Sequence, residues 1–178
     1  MKRALSMLMR RIAPVILIVG LPCDPAAASP RAVPMIAAGS VVATPHPYDE
    51  NADATAQLDA ALAEARRTGR HVLLEFGANW CPDCRVLAGI TGNPNVAPWF
   101  DANYVAVPID IGRGTKNLDI ARRYDLTISA VPTLLVLSAE GMPQNRDEMK
   151  LLSNARLMLP QDVITALARW CSPPPVTN

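Results

Sequence analysis

The chain has 178 residues, half of them hydrophobic, with 17 Lys and Arg against 16 Asp and Glu and a formal charge of +1. That near-neutral balance excludes the basic stripe that holds a nucleic acid, and Arg66-Arg67 and Arg122-Arg123 read as solvated helix faces. With 4 cysteines and 2 histidines, His46 and His71, and no second Cys pair at ligand spacing, no zinc site is expected.

In chain order, the first feature is an address. Lys2, Arg3, Arg10 and Arg11 give a basic start, Ile12 to Leu21 is an apolar run too short to favour a stable span, and Ala26-Ala27-Ala28 offers small residues for cleavage before Ser29. Residues 1–28 are therefore expected to be a signal peptide. An uncleaved membrane anchor and a lipid on Cys23 are the alternatives, and Pro22, where a small residue belongs, argues against the lipid. Loss of 1–28 turns the mature balance slightly acidic. Export would place the protein in an oxidising periplasm, where a cysteine pair is oxidised unless something reduces it.

Residues 29–47, rich in Pro and Ala, read as a flexible lead-in to a domain over 48–172, with 173–178 a disordered tail. About 125 residues suffice for one domain with a real core. After Asp49, Leu58, Ala61, Leu62 and Ala65 recur at helical spacing, with an Asn or Asp to cap the start and Gly69 to end it. His71 to Phe76 is a buried strand, Cys81 to about Ile90 a helix, Gly92 to Asn95 a turn, and Val96 to Phe100 a short helix. Tyr104 to Asp110 is the next strand, Asn117 to Tyr124 a helix with Leu118 and Ala121 inward, and Thr133 to Leu137 a further strand. Ala139-Glu140-Gly141 signals a turn, and Met142 to Ser153 returns as a strand and loop or as loop throughout. Pro160 to Trp170 closes the chain as a helix. Strands alternating with helices, then a hairpin, predict an α/β sandwich with a central mixed sheet flanked by helices.

The chemistry concentrates at Trp80-Cys81-Pro82-Asp83-Cys84, where an apolar strand runs directly into a Cys-x-x-Cys. At a helix start the Cys81 thiol meets unpaired N–H groups and the positive end of the dipole, both of which favour thiolate. Cys84 lies one turn on, placed to attack a mixed disulfide formed at Cys81. A structural disulfide across so short a loop removes little entropy from the unfolded chain, which leaves redox activity as the better reading.

With Glu75 before the motif and Val131-Pro132-Thr133 after it, the arrangement resembles the thioredoxin-like superfamily over residues 50 to 171. The Gly92-Asn93-Pro94-Asn95-Val96 segment is similar to the exported reductase domains at the end of transmembrane thiol:disulfide interchange proteins. The resemblance implies a thioredoxin-like fold and a cis Val131–Pro132 bond facing Cys81, with Val131 backbone groups free to pair with an extended substrate. It also places Glu75 beneath the cysteines, where a buried carboxyl of raised pKa would exchange protons with Cys84. Trp80 would shield the sulfur and help form the docking surface.

Two departures matter. Pro82 and Asp83 stand between the cysteines, and the Asp83 charge should oppose thiolate formation and make the pair more reducing. The lysine that thioredoxin carries near its buried acid is missing, Ala106 being the nearest equivalent. Cys171 is left over and reads as a buried or inert thiol, the alternatives being an intermolecular disulfide or pairing with a small thiol. The expected function is an exported dithiol reductant of protein disulfides, without a cofactor beyond the Cys81-Cys84 disulfide, monomeric, and supplied with electrons by a membrane partner. A disulfide oxidase or isomerase is the alternative within this chemistry, and a copper-binding chaperone module the alternative outside it.

Overall fold

The computed structural model describes residues 32–172; the expected signal peptide, Cys23 and the tail 173–178 lie outside them. The first helix, α1 (Ala54–Thr68), starts where the Asp53 side chain accepts the Ala56 N–H at 3.0 Å and stops at Gly69, whose φ of 73° is the left-handed turn glycine permits. Strand β1 (His71–Gly77) follows and leads through a tight turn into α2 (Pro82–Thr91). Then come α3 (Ala97–Asn103), β2 (Tyr104–Asp110), α4 (Leu118–Arg123), β3 (Thr133–Leu137) and α5 (Pro160–Trp170).

The three strands form one sheet in the order β2-β1-β3, β1 running parallel to β2 and antiparallel to β3. Central β1 is covered on both faces, which is why it reads as a nearly unbroken apolar run. Val72, Leu74 and Phe76 point into a core with Leu58 and Ala65 of α1 and Ile120 of α4. Leu73 points the other way, against Leu87 and Ile90 of α2 and Val163, Leu167 and Trp170 of α5. Glu75 shares the face of Leu73 by strand alternation, so a carboxyl is driven into the α2 side of the sheet. This α/β sandwich, with a mixed sheet between helices, is the expected fold class.

The structure decides one open expectation and departs from another. Of the two readings of Met142 to Ser153, the loop is the one observed: the hairpin return is confined to a single bridge, Leu137 to Pro143, flanked by the Ser138 N–H to Met142 and Gln144 N–H to Val136 hydrogen bonds. Pro143 has no N–H to extend a ladder, and the Asn145 side chain takes the place of backbone instead, accepting the Val136 N–H at 2.8 Å and donating to the Leu134 carbonyl at 3.1 Å. The lead-in also proves to be tied down over 32–47. Ile36 is buried in the α2/α5 core, its N–H donates to Gln161 at 3.0 Å, and the Thr44 N–H donates to the Arg85 carbonyl at 2.9 Å. Gly89 of α2 leaves the room that the Val42 backbone occupies. The segment thereby delivers Tyr48 to the end of β1.

Candidate active site

Cys81 is the N-cap of α2. Its φ of −82° and ψ of 117° are extended, Pro82 supplies the pre-set first helical residue, and Cys81 Sγ accepts the Cys84 N–H at 3.2 Å. Both thiols are free, Cys81 at 2% exposure and Cys84 fully enclosed. The Cys81 S–H donates to the Val131 carbonyl at 3.5 Å, and the Val131–Pro132 bond is cis. Cys81, Cys84, Tyr48 and Val131 thus form a small apolar cluster of their own at the end of the sheet.

A groove of about 440 Å³ lined by Trp80, Ile111, Arg113, Ile128, Ala130 and Val131 meets this cluster at Val131. Trp80 is 49% exposed, is fixed by its N–H donating to the Gly112 carbonyl at 2.7 Å, and carries Arg113 over its ring at 5.6 Å. It stands as a wall of the groove, which suits a docking surface.

Glu75 is 8% exposed on the α2 face of β1. Burial pushes its carboxyl up to about 7, against the opposing pull of a hydrogen bond donated by the Tyr48 hydroxyl to Oε1 at 2.5 Å. In the register Pro108 stands beside Glu75 on β2, two residues from Ala106, while Leu134 stands beside it on β3. Neither can supply a counter-charge. Burial also raises the Cys84 thiol, which therefore keeps its proton in the resting reduced state.

Asp83 turns away from the thiols. Its Oδ1 accepts the Arg156 N–H at 3.0 Å and its Oδ2 lies 3.5 Å from the Arg156 guanidinium, so its charge has a partner. The contact ties the start of α2 to the turn at Ala155–Leu157. Cys171 follows α5, half-buried, its S–H donating to the Ala168 carbonyl at 3.4 Å. It sits near Tyr104, whose partner in β1 is His71 at the strand's opposite end from the motif. Among the described residues no three His, Cys, Asp or Glu side chains gather where a metal ion could be held.

Sequence reasoning missed Tyr48. It lies at the edge of the Pro-rich segment, outside any periodic pattern, and only its distant partner explains it. The Tyr48 N–H donates to Asn79 Oδ1 and Asn79 Nδ2 donates back to the Tyr48 carbonyl, both at 3.0 Å. Asn79, in the turn before Cys81, thus pins the tyrosine.

The family model described as thioredoxin-like matches residues 53–139. Two relatives are thiol:disulfide interchange proteins: DsbD 1 of Pseudomonas aeruginosa, 48% identical over 64 residues, and DsbD of Klebsiella pneumoniae, 32% identical over 91. These matches take in 36% and 51% of this chain but only 10% and 14% of the relatives, so the chain spans a small part of their length. A solved disulphide isomerase from Xylella fastidiosa is 34% identical with a TM-score of 0.67, the match covering 71% of this chain and 98% of that one. A likeness over nearly the whole of that structure, on a fold with the sheet order and cysteine placement described above, shows that the chain belongs to the thioredoxin-like family of thiol:disulfide oxidoreductases.

Proposed function

We propose that this protein is an exported reductant of protein disulfides, working by dithiol exchange through Cys81 and Cys84. The observation that carries this reading is the asymmetry of the pair: Cys81 Sγ faces the groove-lining Val131 and receives an N–H, while Cys84 is enclosed and protonated behind it. Cys81 attacks a substrate disulfide through its thiolate, its proton passing to the departing substrate sulfur, and a mixed disulfide forms as the other substrate sulfur leaves as a thiol. Cys84 then loses its proton toward Glu75 and attacks Cys81 Sγ; the Cys81–Cys84 bond forms and the second substrate sulfur leaves with the electron pair. Val131 and Pro132 border the sulfur, and an extended substrate segment in the groove against Trp80 would pair with the Val131 backbone.

The reducing direction is supported by the surroundings of Cys81. The donor from Cys84 and the acceptor at Val131 act on the sulfur in opposite senses, and Asp83 with Pro82, rather than a cation, stands between the cysteines. No cationic side chain stands between the cysteines, as it does in strongly oxidising pairs. In a periplasm such a reductant needs a membrane electron donor, and the likeness to two interchange proteins supports one. Likeness to the Xylella disulphide isomerase favours isomerisation as a second reading.

Trapping tests the reading. Cys84→Ser should accumulate mixed disulfides with substrate proteins that Cys81→Ser does not, and reduction of a protein disulfide such as that of insulin should vanish in both. A Cys84→Ser protein that traps nothing contradicts the proposal.

A further inference from the structure

We propose that Tyr48 is a positioning and proton-bridging residue, its hydroxyl joining the Cys84 thiol to the Glu75 carboxyl, so that the resolving step passes its proton through this tyrosine. The inference rests on the dithiol reading above and adds a residue to it. Three observations carry it. The Tyr48 hydroxyl donates to Glu75 Oε1 at 2.5 Å inside the protein, with the tyrosine 3% exposed. Tyr48 and Cys84 crowd the same space over Gly77: a Cβ there would collide with the tyrosine hydroxyl and lie 2.8 Å from Cys84 Sγ. Reciprocal hydrogen bonds from Asn79 fix the tyrosine backbone two residues before Cys81, so the ring is held in place by the motif's own turn.

The electrostatics agree with that geometry. The Tyr48 hydroxyl feels both Glu75 and Cys84, whereas Glu75 responds to burial and to Tyr48 alone. Geometry puts the hydroxyl between thiol and carboxyl, bonded to Glu75 Oε1 and sharing the space over Gly77 with Cys84 Sγ. In the step itself the Cys84 S–H gives its proton to the Tyr48 oxygen as the Tyr48 proton passes to the Glu75 carboxylate. Tyrosine ends neutral, Glu75 ends protonated, and the Cys84 thiolate forms the bond to Cys81 Sγ while the substrate sulfur departs with its electron pair.

No other titratable group intervenes from the sheet, since β2 presents Pro108 and β3 presents Leu134 beside Glu75. From α2 the cluster receives Cys81 and Cys84, Asp83 being held by Arg156. Asp110, opposite Gly77 at the end of β2, is 3.4 Å from Lys116, which also donates to the Glu50 carbonyl. Glu50 in turn accepts from Asn79 at 2.9 Å.

The test uses 5,5′-dithiobis(2-nitrobenzoate) on the reduced protein carrying Cys171→Ser, so that this third free thiol adds no release. A first thionitrobenzoate is released when Cys81 is derivatised and a second when Cys84 resolves the adduct. In this parent protein the rate of the second release should rise with pH about a midpoint near 7, where Glu75 becomes able to accept a proton. Tyr48→Phe should slow the second release relative to the first by about tenfold or more and remove the inflection. Tyr48→Phe with the parent rate ratio and midpoint overturns the proposal. Should the variant not fold, ¹³C NMR of the unaltered protein decides: Tyr48 Cζ and Glu75 Cδ should titrate with one shared midpoint, and a Tyr48 Cζ that stays still through the Glu75 titration overturns it. Release of one thionitrobenzoate alone from the parent would overturn the dithiol reading itself, and the bridge with it.

Discussion

Two buried tyrosines each lie beside a cysteine, at opposite ends of the sheet, and only one of them is placed to move a proton. Tyr104 donates its hydroxyl to the Leu167 carbonyl at 2.5 Å, with Cys171 nearby. Tyr48 donates at the same distance to Glu75, with Cys84 nearby. Burial raises all four titratable tyrosine and cysteine groups. The acceptor separates them: a peptide carbonyl takes no proton in this range, whereas a carboxyl raised to about 7 can hold or release one at working pH. A buried Tyr–Cys neighbourhood is thus structural or reactive according to what the hydroxyl donates to.

The largest effect should come from exchanging the cysteines of the two ends. Cys81→Ser or Cys84→Ser should abolish insulin reduction, whereas Cys171→Ser should retain it within about twofold, since its thiol donates only to the Ala168 carbonyl. Activity lost with Cys171 would erase the distinction.

Next is the pH dependence of stability. The Glu75 carboxyl is raised from 4.5 to about 7, so the folded state binds its proton more tightly than the unfolded chain. The stability this lends is complete below about 4.5 and is lost as pH rises through 7, amounting to about 3 kcal/mol at most. Urea unfolding of Glu75→Gln should lack that decline. Gly77→Ala should cost a similar amount, about 3 kcal/mol, because its methyl has to displace the Tyr48 ring or Cys84; urea midpoints check it.

At the other end, Tyr104→Phe should lose about 1 kcal/mol, and equally at every pH between 4.5 and 8, because its acceptor does not titrate. A pH-dependent loss would blur the comparison. Smallest is Arg156→Ala. Arg156 is largely exposed, so stability should fall by less than about 1 kcal/mol, while release of the Asp83 charge should make the pair slightly more reducing, by less than about 20 mV.

Much of this was legible in the sequence because it depends on local pattern. Leu58, Ala61 and Ala65 at helical spacing gave α1, the apolar run of His71 to Phe76 gave β1, and Cys81 fell at a helix start because Pro82 follows it. What escaped depends on tertiary partners. Parallel register is set by packing, so the placing of Pro108 beside Glu75 had no local sign. The pairing of Asp83 with Arg156 spans 73 residues, and that of Tyr48 with Glu75 spans 27. Composition alone made 32–47 look loose, although Ile36 within it and Tyr48 at its edge are anchors. That a loop rather than a fourth strand follows β3 turned on Asn145, whose side chain mimics a peptide group in a way that strand propensity does not register.

The reduction potential of the Cys81–Cys84 pair, by equilibration of the protein against dithiothreitol and glutathione buffers, tests the central claim most directly. A value near about −270 mV is expected of a thioredoxin-like reductant, whereas one near about −120 mV would make the pair an oxidant and contradict the proposed direction of electron flow.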